Sequence, residues 1–231
     1  MSARYAIYYA PGRASRWWAF GATWLGRDEE RDVALPRPPV GAGHLKGMDA
    51  ITAQPRRYGF HATLKAPFRL KPGLTADNLR ARLQSFANTQ RAVALGHLAP
   101  VWLDGFVALV PEAEDPGLRE LASRCVTELD ELRAEPTPAE RARRRIDPAD
   151  ARAMELDQRY GYPHVLERFR FHMTLTGPVD DALSRQIIAQ LAYPVAQLNA
   201  QEPAMLDRLC LFVESRQGAP FRRVADLGLA A

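Results

Sequence analysis

Hydrophobic and polar positions along this chain recur with two different periods, in segments separated by glycine and proline. Short apolar or alternating runs predict β-strands, whereas apolar residues three or four positions apart predict helices. The predicted strands cover 5–10, 58–64, 93–101, 106–110, 169–176, 204–213 and 221–227. The predicted helices cover 15–27, 48–53, 75–88, 115–132 and 181–192. This order of elements predicts the α+β class, with mostly antiparallel sheets flanked by helices.

A charged segment with several prolines, residues 136–160, interrupts this pattern. We interpret it as a helical connection between two related halves of one bilobal domain. The first repeat then covers approximately 1–135 and the second approximately 161–231. The arginine-rich stretch at 141–145 is interpreted as a solvated helix face or linker, because most charge runs are. The alternative is that it contacts a phosphorylated substrate or RNA.

Two eight-residue segments of the chain share one pattern. Residues 60–67 are FHATLKAP and residues 171–178 are FHMTLTGP, so five of the eight positions are identical. The chain has only five histidines, and two of them occupy the same place in this pattern. An internal duplication explains the coincidence better than chance does. The predicted halves therefore form a pseudo-symmetric pair.

The alternation of side chains along a strand predicts what the repeated residues do. The apolar residues of each copy lie on one face and would pack against helices. The opposite face is polar in both copies and consists of His61, Thr63 and Lys65 in the first and His172, Thr174 and Thr176 in the second. Two such faces, related by a pseudo-twofold axis, would line a shared cleft between two lobes.

These polar residues suit chemistry at a phosphate ester. A histidine can act as general base or general acid near neutral pH, so His61 and His172 could serve as an acid–base pair on opposite sides of one phosphorus. Hydroxyl groups of Thr63 and Thr174 could donate hydrogen bonds to the non-bridging oxygens. We predict these four residues as catalytic. The predicted substrate-binding residues are Lys65, Thr176 and Arg170. The mechanism requires no metal, and no metal site is predicted.

Composition narrows the class of protein without identifying it. The chain has 231 residues, 31 basic against 27 acidic side chains and a formal net charge of +4, which is compatible with an anionic small-molecule ligand. The two cysteines, Cys125 and Cys210, are too few and too far apart for a zinc cluster or a disulfide framework. Neither a signal peptide nor an apolar run of about 18 residues is apparent. We therefore expect a cytoplasmic protein without membrane association.

The paired motifs resemble those of the 2H phosphoesterase superfamily, which is named for two His-x-Thr/Ser elements. The longer strings YGFHATLKAPF and FRFHMTLTG look like a bacterial branch associated with phosphonate metabolism. The resemblance extends to RYAIYYAP at the start and RYGYPHVL before the second motif. It implies a bilobal α+β fold, no cofactor, and a phosphoric diester hydrolase. The expected substrate is a cyclic phosphate or phosphodiester from phosphonate breakdown.

Two alternatives remain open at this point. The first is an RNA 2′,3′-cyclic phosphodiesterase or another RNA-end processing enzyme, although the modest net charge argues against RNA as a partner. The second is a binder of phosphorylated metabolites without catalytic activity. A small phosphate ester is the expected partner, and a monomer is the expected state.

Overall fold

The computed structural model describes residues 3–37, 47–113, 115–142 and 146–230. Its helices are α1 (Arg16–Leu25), α2 (Met48–Arg56), α3 (Ala76–Ala87), α4 (Pro116–Glu128), α5 (Pro138–Ala142), α6 (Ala151–Tyr160) and α7 (Asp181–Gln201). Its strands are β1 (Arg4–Tyr9), β2 (Arg27–Asp28), β3 (Val33–Ala34), β4 (Ala62–Phe68), β5 (Val93–Gly96), β6 (Leu98–Leu103), β7 (Phe106–Pro111), β8 (Met173–Thr174), β9 (Ala204–Leu206), β10 (Arg208–Glu214) and β11 (Arg222–Gly228). Single 3₁₀ turns at Asp130–Leu132 and Leu166–Arg168 complete the described elements.

Two antiparallel sheets carry the two His-x-Thr segments. The larger sheet has the strand order β11-β10-β1-β4, and a three-stranded sheet has the order β6-β7-β8. The pairs β2–β3 and β5–β9 form two small antiparallel ladders. The fold is therefore α+β with antiparallel sheets flanked by helices, as the sequence pattern predicts.

The strand with the first motif differs from its predicted extent. It was expected at 58–64, but β4 begins at Ala62 and continues through Pro67 to Phe68. This extension is possible because β4 lies at the edge of its sheet, where a proline can leave the ladder of hydrogen bonds intact on the paired side. The second motif has less regular structure, since β8 comprises Met173 and Thr174 alone within the predicted 169–176.

Two long predicted strands are each divided in the structure. The 93–101 run becomes β5 and β6, and the 204–213 run becomes β9 and β10. In each case the first part pairs in the β5–β9 ladder and the second part joins one of the larger sheets. Apolar content alone cannot show where a strand changes partners, because both parts are equally suited to a buried strand.

Both larger sheets combine strands from distant parts of the chain. In the large sheet β10, near the end of the sequence, pairs with β1 at its start. In the smaller sheet β8 pairs with β7 across the connecting segment. The helices α5 and α6 occupy that segment. Within the arginine-rich stretch, Arg141 lies 3.3 Å from a carboxylate oxygen of Glu135, and residues 143–145 lie outside the described residues. The division into two sequence repeats stays a prediction.

One continuous hydrophobic core joins the two sheets. It includes Ile7 and Leu64 from the large sheet and Val107 and Met173 from the smaller one, all almost fully buried. Burial of each such side chain contributes about 1.5–3 kcal/mol to folding. The core thus holds the two motif-bearing strands in a fixed relation to each other. No helix in the described ranges is long and apolar enough to cross a membrane.

Helix α1 packs against both motifs. The ring of Phe60, just before His61, is so close to Gly21 that a Cβ at this position would lie 2.0 Å from two ring carbons. The indole of Trp24 donates a hydrogen bond of 2.9 Å to the carbonyl of Leu175, just after Thr174. Helix α1 begins at the Ser15 cap, whose hydroxyl accepts from the amide of Trp17. Its position therefore depends on contacts with both halves of the site.

Candidate functional site

A cavity of about 480 Å³ opens where β4 approaches β8. This volume lies in the range of small-molecule sites. Its lining includes His61 and Thr63 of the first motif and Thr174 and Thr176 of the second. The structure thus brings residues of both repeated segments to one cavity, although they are more than one hundred positions apart in the sequence.

Backbone contacts fix the orientation of the His61 ring. Its Nδ1 lies 2.9 Å from the carbonyl oxygen of Gly59, and its Nε2 lies 3.3 Å from the hydroxyl oxygen of Thr63. A carbonyl can only accept, so Nδ1 carries a proton and Nε2 of the neutral ring is a proton acceptor. Gly59 has a φ of 81°, and a Cβ there would lie 2.7 Å from the Cβ of Glu29. Only glycine fits this turn without strain.

The His172 ring is held in the same way. Its Nδ1 lies 2.8 Å from the carbonyl oxygen of Arg170, again two residues before the histidine. His172 is not among the described residues that line the cavity. Its ring centroid, however, lies 5.7 Å from that of Phe106, which does line it. The second histidine therefore sits beside the cavity, with the same tautomer fixed by the same kind of contact.

Aromatic side chains shield His61 from water. The Tyr8 ring stacks on the His61 ring with centroids 3.9 Å apart, and the Phe212 ring lies at 6.1 Å. Burial lowers the pKa of His61 from 6.5 to about 4, because the charged form loses hydration. The hydrogen bond to Gly59 opposes this shift, and repulsion from His172 adds to it.

Burial also lowers the pKa of His172, against the opposing hydrogen bond to the Arg170 carbonyl. At neutral pH both rings are therefore in the neutral form.

Lys65 does not share the cavity with His61 and Thr63, contrary to the expectation from simple alternation. Consecutive residues of β1, Ile7 and Tyr8, pair with Lys65 and Thr63, so β4 contains a bulge between the two. A bulge reverses the faces beyond it, and Ala66 rather than Lys65 lines the cavity. The Lys65 ammonium is buried on the other side.

Helix α4 and the turn after it provide the partners of Lys65. Its Nζ donates at 3.0 Å to the Val126 carbonyl and at 3.0 Å to a carboxylate oxygen of Asp130. Burial lowers the pKa of Lys65, while attraction to Asp130 partly offsets that effect. Lys65 is thus part of a buried ion pair and not a ligand contact.

The other two predicted substrate contacts have structural partners as well. Thr176 lines the cavity, but it is fully buried and its hydroxyl oxygen accepts a hydrogen bond of 2.9 Å from the amide of Val107. The side chain of Arg170 is 57% exposed and pairs with Asp104. Arg170 is not among the described residues that line this cavity.

Sequence patterns did not single out several residues of the cavity wall. Arg4, Tyr58 and Tyr162 all line it, and the position of Tyr8 could not be decided from alternation because both faces of β1 are apolar. The available signal was proximity: Tyr58 precedes the first motif by three residues, and Tyr162 belongs to the RYGYPHVL string before the second. An aromatic wall suits an organic ligand, since it provides apolar contact beside a few polar groups.

Metal ligation and thiol chemistry find little support in the described parts of the chain. No group of three or more histidine, cysteine, aspartate or glutamate residues there is arranged to hold a metal ion. Cys125 and Cys210 are buried free thiols, and burial raises the pKa of each to about 12. Neither thiol would be an effective nucleophile at neutral pH.

The chain is similar to two longer bacterial proteins. It is 39% identical over 221 residues to a protein of Laribacter hongkongensis (strain HLHK9) named ribose 1,5-bisphosphate phosphokinase PhnN, covering 95% of this chain and 50% of that relative. It is 38% identical over 226 residues to the protein of the same name from Janthinobacterium sp. (strain Marseille), covering 94% of this chain and 49% of that relative. The chain therefore spans about half the length of these relatives.

These names correct the enzyme class expected from the sequence. A phosphokinase transfers a phosphoryl group to an acceptor, so the prediction of a phosphoric diester hydrolase is wrong by this comparison. The same names apply to whole proteins about twice as long as this chain. A family described as a protein of unknown function (DUF1045) matches residues 63–222. Because this match covers more than half of the chain, the chain belongs to the DUF1045 family.

Proposed function

We propose that the cavity binds the phosphate group of a phosphorylated small molecule and that His61 and His172 move protons during phosphoryl transfer at that group. The observation that carries this proposal is the matched orientation of the two rings. Each Nδ1 is held by the carbonyl two residues earlier, at 2.9 Å for His61 and 2.8 Å for His172. A ring fixed in this way presents Nε2 as its reactive atom.

The two histidines would have complementary roles at one phosphorus. A neutral ring accepts the proton of an attacking hydroxyl as the new O–P bond forms. A protonated ring donates a proton to the leaving oxygen as the old O–P bond breaks, so the total number of bound protons is unchanged. Thr63 and Thr174, which line the cavity, would donate hydrogen bonds to the non-bridging oxygens.

Binding of the ligand would cause one histidine to take up the proton that this scheme requires. Both rings are neutral in the free protein because burial lowers their pKa values. A bound phosphate places negative charge beside them, and an opposite charge at close range favours the protonated form. Binding of the anion should therefore be accompanied by proton uptake, which prepares one histidine as the acid.

Two similarities support a role in phosphonate metabolism. The strings around both motifs look like a branch associated with that process, and both relatives bear the name PhnN together with ribose 1,5-bisphosphate. A ribose phosphate is accordingly the substrate class that we propose. The matched histidines also support membership in the 2H phosphoesterase superfamily, with its arrangement of two lobes around a cleft, as part of this proposal.

If this chain performed the kinase activity in the relatives' names, its phosphate-binding site would have to differ from a P-loop. Its lysines, Lys46, Lys65 and Lys71, each follow a residue other than glycine. The P-loop pattern G-x-x-x-x-G-K-[ST], which cradles nucleotide phosphates, is thus absent from the chain. Phosphoryl transfer here would rely on the histidine pair.

The proposal can be tested with the variants His61→Gln and His172→Gln. The purified chain is incubated with ribose 5-phosphate or ribose 1,5-bisphosphate and a hydroxyl acceptor, and phosphorus NMR follows the products. We expect each variant to reduce the transfer rate by ~10²- to 10⁴-fold, the usual contribution of an acid–base group. His97→Gln serves as the matched control, because the His97 side chain is 67% exposed and lies outside the motifs.

Three results would contradict the proposal. Full activity in both motif variants would exclude the histidine pair as the proton carriers. Loss of activity in His97→Gln to the same extent would show that the loss in the motif variants is not specific to the histidine pair. Release of inorganic phosphate without any transfer product would exclude phosphoryl transfer to a hydroxyl.

A further inference from the structure

Arg4 lies in the wall of the cavity at a distance from the histidines. Arg4, Ala6 and Tyr8 alternate along β1, so their side chains point to one face of the sheet. Tyr8 stacks on His61, and both Arg4 and Tyr8 line the cavity. Four residues of a strand span about 13 Å. Ala6, between them on the strand, is fully buried against Phe212 and Phe221, so the cavity wall on this face of β1 is formed by Tyr8 at the His61 end and by Arg4 at the other.

A buried carboxylate holds the guanidinium of Arg4 in place. Arg4 donates through Nε to Glu214, whose side chain is fully buried, and Arg57 donates through Nη2 to the same carboxylate. The amide of Gly218 donates to it as well, at 2.9 Å. Two positive charges thus share one negative charge, and the cluster has a local excess of one positive charge.

The environment of Arg4 suits an anionic group from a ligand. Its side chain is 30% exposed, and its guanidinium carbon lies 5.8 Å from the ring centroid of Phe221. This aromatic contact and the bond to Glu214 limit the rotation of the side chain. A guanidinium that is already oriented loses less entropy when it binds a phosphate through its donor fork.

We propose that Arg4 forms a second anion subsite, so that the ligand has two phosphate groups separated by a sugar. One phosphate would lie at the His61 and Thr63 end and the other at Arg4. The inference rests on the proposed function, which concerns the first phosphate only. It deepens that function by specifying a sugar bisphosphate as the substrate class.

The size of the cavity supports two groups rather than one. A volume of about 480 Å³ is within the range for drug-sized ligands, and a single phosphate would occupy the histidine end alone. The intervening wall includes Tyr58 and Tyr162, which can contact the sugar.

The test compares the binding of ribose 5-phosphate and ribose 1,5-bisphosphate by titration calorimetry. Arg4→Gln should weaken binding of the bisphosphate by ~10- to 100-fold, since the charge-assisted hydrogen bond from Arg4 to the second phosphate is lost. It should change binding of the monophosphate by less than about threefold, the scatter expected of a residue with no contact to that phosphate. Arg4→Lys retains the charge without the fork and should show a smaller loss for the bisphosphate.

Arg57→Gln is the matched control because it removes a charge from the same carboxylate. Arg57 is not among the described residues that line the cavity, so the preference for the bisphosphate should persist in this variant. Equal losses of affinity for the bisphosphate in Arg57→Gln and Arg4→Gln would show that the net charge of the cluster, and not a contact from Arg4, determines binding, and would overturn the inference. Equal losses for both ligands in Arg4→Gln would also overturn it.

His61→Gln separates this inference from the proposed function. Both ligands should bind more weakly to this variant, because both place a phosphate at the histidine end. Unchanged binding of both would refute the proposed function, whatever Arg4→Gln does. Weaker binding of both to His61→Gln, with no selective loss in Arg4→Gln, would refute the second subsite alone. If the wild type binds neither ligand, both proposals fail.

Discussion

His61 should make the stability of this protein depend on pH in a specific direction. Its pKa is about 4 in the folded protein, compared with 6.5 for an unperturbed histidine. The unfolded chain therefore binds a proton at a higher pH than the folded protein does. As the pH falls from 6.5 towards 4, protonation stabilises the unfolded chain, and the free energy of unfolding decreases. Above about pH 7 the free energy of unfolding no longer changes with pH because of His61.

The magnitude follows from the difference between the two pKa values. Each unit corresponds to about 1.4 kcal/mol, so the lowering from 6.5 to about 4 amounts to roughly 3 kcal/mol when the pH is below both values. About 2.5 kcal/mol of this free energy of unfolding is lost as the pH decreases from 7.5 to 4.5. The cause is burial of the His61 ring, to which the stacked ring of Tyr8 at 3.9 Å contributes.

The assay is urea unfolding followed by tryptophan fluorescence, since Trp17 and Trp24 are buried. The wild type should lose about 2.5 kcal/mol more than His61→Gln between pH 7.5 and pH 4.5. The difference between these two proteins removes the contribution of groups that titrate in both. His97→Gln, at an exposed position, should follow the wild type. A pH dependence identical in the wild type and His61→Gln would refute the reasoning, as would an NMR titration of His61 with a midpoint near 6.5.

Two further substitutions test the packing around the site. Gly21→Ala should lower the free energy of unfolding by about 1–3 kcal/mol, because the new Cβ would lie 2.0 Å from the ring of Phe60. This loss should exceed the gain from the better helix propensity of alanine. Thermal unfolding measures the change, and an increase in stability would contradict the close packing of Gly21 and Phe60. Lys65→Met should cost about 2 kcal/mol in urea unfolding, because Asp130 loses one partner while Arg133 still donates to it. The same variant should keep its affinity for ribose phosphates within about threefold, as expected when no ligand contact is removed, and a larger loss of affinity would place Lys65 at the ligand.

Sequence reasoning was most reliable where a pattern depends on local chemistry. The helix start at Ser15 and the helix Ala76–Ala87 follow from capping and periodicity. Helix α7 was expected to end at 192, but it continues through Pro194 to Gln201. Packing of Leu191 and Val195 in the core offsets the hydrogen bond that proline removes, and a local pattern cannot register that contribution.

The amino-acid sequence by itself determined the class of the fold and the repeated pattern that contains His61 and His172. Both depend on residue types repeated at fixed spacing, and strand periodicity translates spacing directly into a face. The bulge in β4, the burial of Lys65 and the place of Arg4 in the cavity wall were decided only by the tertiary structure. These features depend on which strands become neighbours, and the sheets join β1 to β10 and β7 to β8 across most of the chain. Local spacing has no information on contacts between residues so far apart.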